Sequence, residues 1–104
     1  MNAMIKNDRI YRAYQRLILG EGDVRVRVAE ACYILKDINK TELPEDLYKK
    51  IKDILREASK KGPLKSNGKV IRDTFSNTLI NRKKSTYVVL AKQIYQIYLI
   101  NLKE

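Results

Sequence analysis

Apolar residues recur at steps of three and four along most of this chain, and polar residues fill the positions between them. Over about residues 5–19 the stripe is Ile10, Ala13, Tyr14, Leu17 and Ile18, with Arg9, Arg12 and Arg16 on another side, which predicts an amphipathic helix. From Val24 the alternation Val24-Arg25-Val26-Arg27-Val28 has the period of a strand. The longer stripe Val24, Val28, Ala31, Leu35 and Ile38 has the period of a helix and outweighs it, so a second helix is expected from Val24 to about Asp37. The segment KTELPEDL puts Pro44 at a helix start, with Glu45 and Asp46 where the helix dipole favours negative charge. The third helix then turns Leu47, Ile51, Ile54, Leu55 and Ala58 inward, and Gly62 and Pro63 stop it.

Residues 60–69, KKGPLKSNGK, form the longest hydrophilic connection and are expected to be mobile. A fourth helix is predicted from about Lys69 to Asn81, with Val70, Ile71, Thr74, Phe75, Thr78 and Leu79 inward. Ser66 or Asn67 would cap it. After RKKS, with Ser85 as cap, a fifth helix covers about residues 86–102 and is apolar nearly all round. A strand through TYVVLA is the competing reading there. The pattern as a whole predicts an all-α, single-domain bundle of four to five helices with the apolar C-terminal helix at its centre.

The stretch GEGDVR between the first two helices is the most suggestive local motif. Gly20 suits a left-handed position after a helix end, and Asp23 suits the N-cap of the next helix. Glycines ahead of a helix could also cradle a phosphate, but Glu21 and Asp23 place negative charge where it would sit, and no strand precedes them. Gly20, Glu21, Gly22 and Asp23 therefore read as a structural corner. Arg25 and Arg27 are opposed by the dipole of the helix they begin. Arg25 is expected to pair with Glu21, with another carboxylate, or with something outside the chain. In LILGEGDVRVRV together with TLINRKKSTYVVLAKQIYQIY the chain resembles a group of small uncharacterised bacterial helical proteins sharing the Gly-Glu-Gly-Asp-Val-Arg corner. Gly20 to Arg25, Thr78, Leu79, Ala91, Ile94 and Tyr98 carry the likeness. Valines at 26 and 28 and a more basic second half depart from it. The resemblance implies a small helical protein and brings no activity with it.

Charge changes the picture most. The 104 residues carry a formal net charge of +10. Residues 1–57 hold twelve Lys and Arg against ten Asp and Glu, whereas residues 58–104 hold ten against two. Lys60, Lys61, Lys65, Lys69, Arg72, Arg82, Lys83 and Lys84 are the candidate polyanion-binding residues. Arg9, Arg12, Arg16, Arg25 and Arg27 are secondary candidates. Nucleic-acid backbone is the first expected partner. An acidic protein partner, or a homo-oligomer through helix 5 or helix 2, is the alternative.

GPLKSNGKV mimics a nucleotide-binding loop, but five residues separate Gly62 from Gly68 and Val70 occupies the position of the required hydroxyl. Helix 5 offers valines, isoleucines and tyrosines where a recognition helix needs polar side chains, which argues against base reading by that helix. The tyrosines could stack single-stranded bases, or pack their rings inside with the hydroxyl at the rim.

Chemistry has few parts available. Histidine is absent, and one cysteine, Cys32, sits in a helical pattern beside Val28 and Leu35, where a buried thiol is inert. Neither a histidine-based triad nor a zinc or iron-sulfur cluster is available, and no cofactor is expected. The carboxylate pairs Glu21 with Asp23 and Glu45 with Asp46 stand at helix starts, where capping accounts for them. A non-enzymatic binding protein is the reading. A cytoplasmic location is expected from the single cysteine and the lack of a secretion signal, and no membrane contact is expected. The opening Met1-Asn2-Ala3 reads as a cloning remnant ahead of Met4.

Overall fold

Asn7, Asp23 and Asp73 each begin a helix by the same device, a side-chain oxygen that accepts hydrogen bonds from two first-turn amides. The computed structural model describes residues 7–103. The predicted start of the first helix at residue 5 and the reading of Met1 to Ala3 lie outside the described residues. Among the described residues there are five α-helices: α1 (Asp8–Leu19), α2 (Val24–Leu35), α3 (Glu45–Ala58), α4 (Thr74–Leu79) and α5 (Lys84–Lys103). A 3₁₀ turn, Lys40–Glu42, precedes α3, and a hairpin of β1 (Leu64–Ser66) and β2 (Lys69–Arg72) separates α3 from α4.

The core forms where the amphipathic stripes meet. Ile10, Ala13 and Leu17 of α1 meet Val28, Ala29, Ala31, Cys32 and Leu35 of α2, and α3 adds Leu47, Ile51, Ile54 and Ala58. Phe75 and Leu79 close it from α4, and Leu90, Ile94 and Ile97 from α5. Helix α5 packs against α1, α2 and α3, while α2 touches all four of the other helices. The outer side of α5 leaves Val89, Tyr95, Leu99 and Leu102 exposed.

One polar residue is built into the seam between α1 and α5. Buried Asn101 accepts from the Asn7 backbone N–H at 3.3 Å and donates to the Asn7 carbonyl at 3.4 Å. Asn7 in turn caps α1 and donates from Nδ2 to Glu42 at 3.1 Å. This ties the start of α1, the end of α5 and the 3₁₀ turn at one place, and sliding α5 by a turn would leave buried polar groups without partners.

The hairpin corrects the expected fourth helix. Residues 69–72 are a strand, with Val70 58% and Ile71 63% exposed where inward positions were predicted. The cause is local. Asn67 at φ 52° and Gly68 at φ 78° form a two-residue turn with left-handed backbone, which closes strands naturally and cannot begin a helix. Ser66 pairs with Lys69 and Lys65 with Val70, and an irregularity between Leu64 and Lys65 brings Leu64 opposite Arg72. Helix α4 therefore starts at Thr74, capped by Asp73 in place of Ser66 or Asn67. Ser85 is likewise no cap, because α5 begins one residue earlier at Lys84.

Candidate functional site

At the GEGDVR corner Asp23, Arg25 and the Gly20 N–H are engaged within the fold, and Glu21 is exposed. Asp23 Oδ1 accepts from Arg25 N–H at 2.8 Å and from Val26 N–H at 3.3 Å, which occupies the first-turn amides of α2. Gly20 is extended (φ −67°, ψ 159°), so the left-handed conformation expected there is absent, and Gly22 supplies it at φ 94°. Gly20 is required for another reason: a methyl group there would collide with the Arg16 carbonyl oxygen.

The two arginines that the α2 dipole opposes serve the ends of other helices. Arg27 donates to the Leu17 carbonyl at 2.9 Å and to the Gly22 carbonyl at 3.1 Å, which covers the C-terminus of α1. Arg25 donates to the Ile80 carbonyl at the end of α4 at 3.1 Å, approaches Asp23 at 3.6 Å, and lies over the Tyr87 ring at 5.6 Å. A cation at a C-terminus is favoured by the dipole, so the cost at α2 is offset at α1 and α4. Nothing in the sequence within a few residues of Arg25 indicates Ile80 or Tyr87.

The arginine stripe of α1 is matched by carboxylates. Arg12 pairs with Asp8 at 2.9 Å, Arg9 with Asp37 at 3.9 Å and Arg16 with Glu30 at 3.9 Å. In the second half Glu57 does the same for two of the candidate cations, meeting Lys60 at 2.9 Å and Arg82 at 2.9 Å. Lys61, Lys65, Lys69, Lys83 and Lys84 are exposed and form no ion pair among the described residues. Arg72 lines a groove of about 320 Å³ between α2 and α4 with Asp23, Arg25 and Ser76. The one carboxylate between residues 58 and 103, Asp73, is spent on capping α4, with its second oxygen accepting from Ser76 Oγ at 3.1 Å.

Short α4 brings the basic connections to one end of the bundle. Buried Thr78 Oγ1 accepts from the Lys61 N–H at 3.0 Å, Asn77 Nδ2 donates to the Gly62 carbonyl at 3.0 Å, and Thr74 Oγ1 donates to the Ser59 carbonyl at 3.3 Å. The segment that follows α3 is thus fastened along α4, and Arg82, just past α4, reaches back to Glu57 in the last turn of α3. Lysines 61, 83 and 84 share that end, and the hairpin carrying Lys65 and Lys69 rises from it.

Charge neighbours leave their mark on two carboxylates. The hydrogen bond and charge of Lys60, joined by the charge of Arg82, hold Glu57 below its ordinary 4.5. The Val26 backbone N–H, with further help from Arg25, holds Asp23 below its ordinary 3.8. A depressed carboxylate contributes stability that is present above its unfolded value and is lost as pH falls through its folded value. For these two groups, stability is expected to be level from neutral down to about pH 5 and to fall below that. Urea midpoints measured against pH should show a shallower acid loss in Asp23→Asn and Glu57→Gln.

Burial pushes the Cys32 thiol up to about 12, in a fully enclosed position between core side chains, so it is a poor nucleophile. Among the described residues no three His, Cys, Asp or Glu side chains are placed to hold a metal ion, and no helix is long and apolar enough to cross a membrane. The tyrosines divide: Tyr87 and Tyr98 pack against the core as the inward reading expects, whereas Tyr95 stays outside. Tyr14 and Tyr98 stack face to face at 3.7 Å between α1 and α5, while Tyr11 and Tyr95, at 6.4 and 6.0 Å from that pair, are 45% and 44% exposed. Compared with models of known protein families, with curated proteins and with solved structures, the chain matches none.

Proposed function

We propose that this protein is a non-catalytic binding protein that engages nucleic acid through backbone phosphates. The observation that carries the reading is the excess of cations over carboxylates in the second half, where Asp73, the one carboxylate side chain between residues 58 and 103, is spent on capping α4. The arginines of α1 and α2 each have an acceptor within the chain, whereas Lys61, Lys65, Lys69, Lys83 and Lys84 are exposed and form no ion pair among the described residues. Phosphate contact by such lysines releases condensed counterions, and that release drives sequence-independent binding. The secondary candidates Arg9, Arg12 and Arg16 take no part in this reading, because each faces a carboxylate.

Fluorescence anisotropy with labelled duplex, titrated across salt, tests it. Five phosphate contacts correspond to a slope of log affinity against log salt of about −4.5, at roughly 0.9 per phosphate. Binding seen only at very low salt would refute the reading. Glu57→Gln is expected to tighten binding about threefold to tenfold by removing one negative charge and releasing Lys60 and Arg82, which adds about one contact.

A second reading, self-association, is favoured by the apolar residues left on the outside of adjoining helices. Ile18 and Leu19 of α1, and Tyr95, Leu99 and Leu102 of α5, are all exposed. Isologous pairing would cover them. Sedimentation velocity across concentrations discriminates, since a strict monomer excludes this mode.

A further inference from the structure

The β1–β2 hairpin contributes little to the fold that carries it. Its two strands lean almost entirely on each other and pack scarcely at all against any helix, and Leu64, Val70 and Ile71 are exposed at 40%, 58% and 63%. A lone two-stranded hairpin is marginally stable in water, so this one depends on its base, where Asn77 and Thr78 hold residues 61 and 62. Its cations are Lys65, Lys69 and Arg72, and residues 63–72 contain no carboxylate. A protruding ribbon, cationic and apolar at once, has the chemistry of a groove reader.

We infer that the hairpin docks in the major groove of B-form DNA with the face that bears Val70 toward the base edges, Val70 contacting thymine methyl groups while the long side chains of Lys65, on that face, and Lys69, on the other, reach the flanking phosphates. This rests on the nucleic-acid reading above and specifies the form recognised. Paired strands lie about 4.8 Å apart, and with side chains they match a groove about 12 Å wide that is known to admit a two-stranded ribbon. The major groove of A-form RNA is too deep and narrow for side chains, and a single strand has no groove. Apolar side chains find an apolar partner in the major groove only at the thymine methyl.

Anisotropy at about 0.1 M salt, using a thymine-rich DNA duplex of about 20 base pairs, the corresponding RNA duplex, the single strand, and the DNA duplex with deoxyuridine replacing thymidine, tests the inference. The expected order puts thymidine duplex about tenfold tighter than RNA duplex or single strand. Loss of the methyl groups should weaken binding about threefold to fourfold for each methyl contacted, since a buried methylene-sized group is worth about 0.8 kcal/mol. Val70→Ser should abolish the thymidine preference and leave the salt slope unchanged. Val70 is exposed, so the variant should keep its melting temperature. Lys65→Gln/Lys69→Gln offers a second route, and should lower the slope by about two.

Equal binding of thymidine and deoxyuridine duplexes, or a thymidine preference that survives Val70→Ser, overturns the hairpin inference while the phosphate-binding reading stands. Binding to none of the four probes overturns both.

Discussion

Reversing the charge at Lys83 and Lys84 (Lys83→Glu/Lys84→Glu) is expected to weaken nucleic-acid binding by roughly 50- to 100-fold at about 0.1 M salt, on all sequences alike. The magnitude follows from counterion release. Each phosphate contact contributes about 0.9 to the salt slope and therefore about 0.9 log units of affinity at about 0.1 M salt, and two contacts are lost. The slope should fall from about −4.5 to about −2.7. Both lysines are exposed and stand at the start of α5, where new carboxylates are favoured by the helix dipole, so the variant should fold at least as well as the parent. Circular dichroism melting separates the two effects. Affinity unchanged by the double substitution would remove this end of the molecule from the binding surface.

Gly20→Ala is expected to destabilise the protein by about 1–3 kcal/mol, the usual cost of forcing an extra carbon into a packed site. The added methyl would meet the Arg16 carbonyl oxygen and lie 3.2 Å from Arg16 Cδ and 3.3 Å from Arg27 Cγ. Relief by a shift of the corner is opposed on both sides. The Arg16 carbonyl already accepts the Gly20 N–H at 2.9 Å, and the Arg27 guanidinium holds the Leu17 and Gly22 carbonyls. Urea denaturation should show the loss as a lower midpoint at unchanged slope, and the melting temperature should drop by about 4–8 °C per kcal/mol. Exposed Glu21→Ala, in the same corner, should stay within about 0.5 kcal/mol. A neutral Gly20→Ala would mean that the corner yields easily and that the tight turn has no role in holding α1 to α2. Nucleic-acid affinity per folded molecule should be unchanged in Gly20→Ala, which alters no charge.

Much of the architecture was legible along the chain because its signals are local. The three-and-four spacing of Ile10, Ala13 and Leu17, or of Leu47, Ile51 and Ile54, survives as buried stripes, and Asp23 caps α2 as its position suggests. The hairpin was legible too, in the Asn67-Gly68 dipeptide with apolar residues on either side. The helical period of Val70, Ile71, Thr74 and Phe75 concealed it. A turn with two left-handed residues imposes its geometry on the four residues after it, and no apolar period can override that until Asp73 starts a new helix.

Composition and local spacing alone determined that this is a helical chain without histidine chemistry, that most of its net positive charge lies in its second half, and that a helix must start after Asp23. Only the tertiary structure decided which of those charges are spent. Arg25 finds its acceptor 55 residues away at Ile80, and Arg82 finds Glu57 25 residues back. Such pairings depend on how helices cross, which no stretch of a few residues encodes. The candidate site was therefore visible in the sequence as an excess of lysine and arginine. Among the described residues, the folded chain separates five exposed second-half lysines that form no ion pair from the arginines of α1 and α2, each of which has an acceptor within the chain.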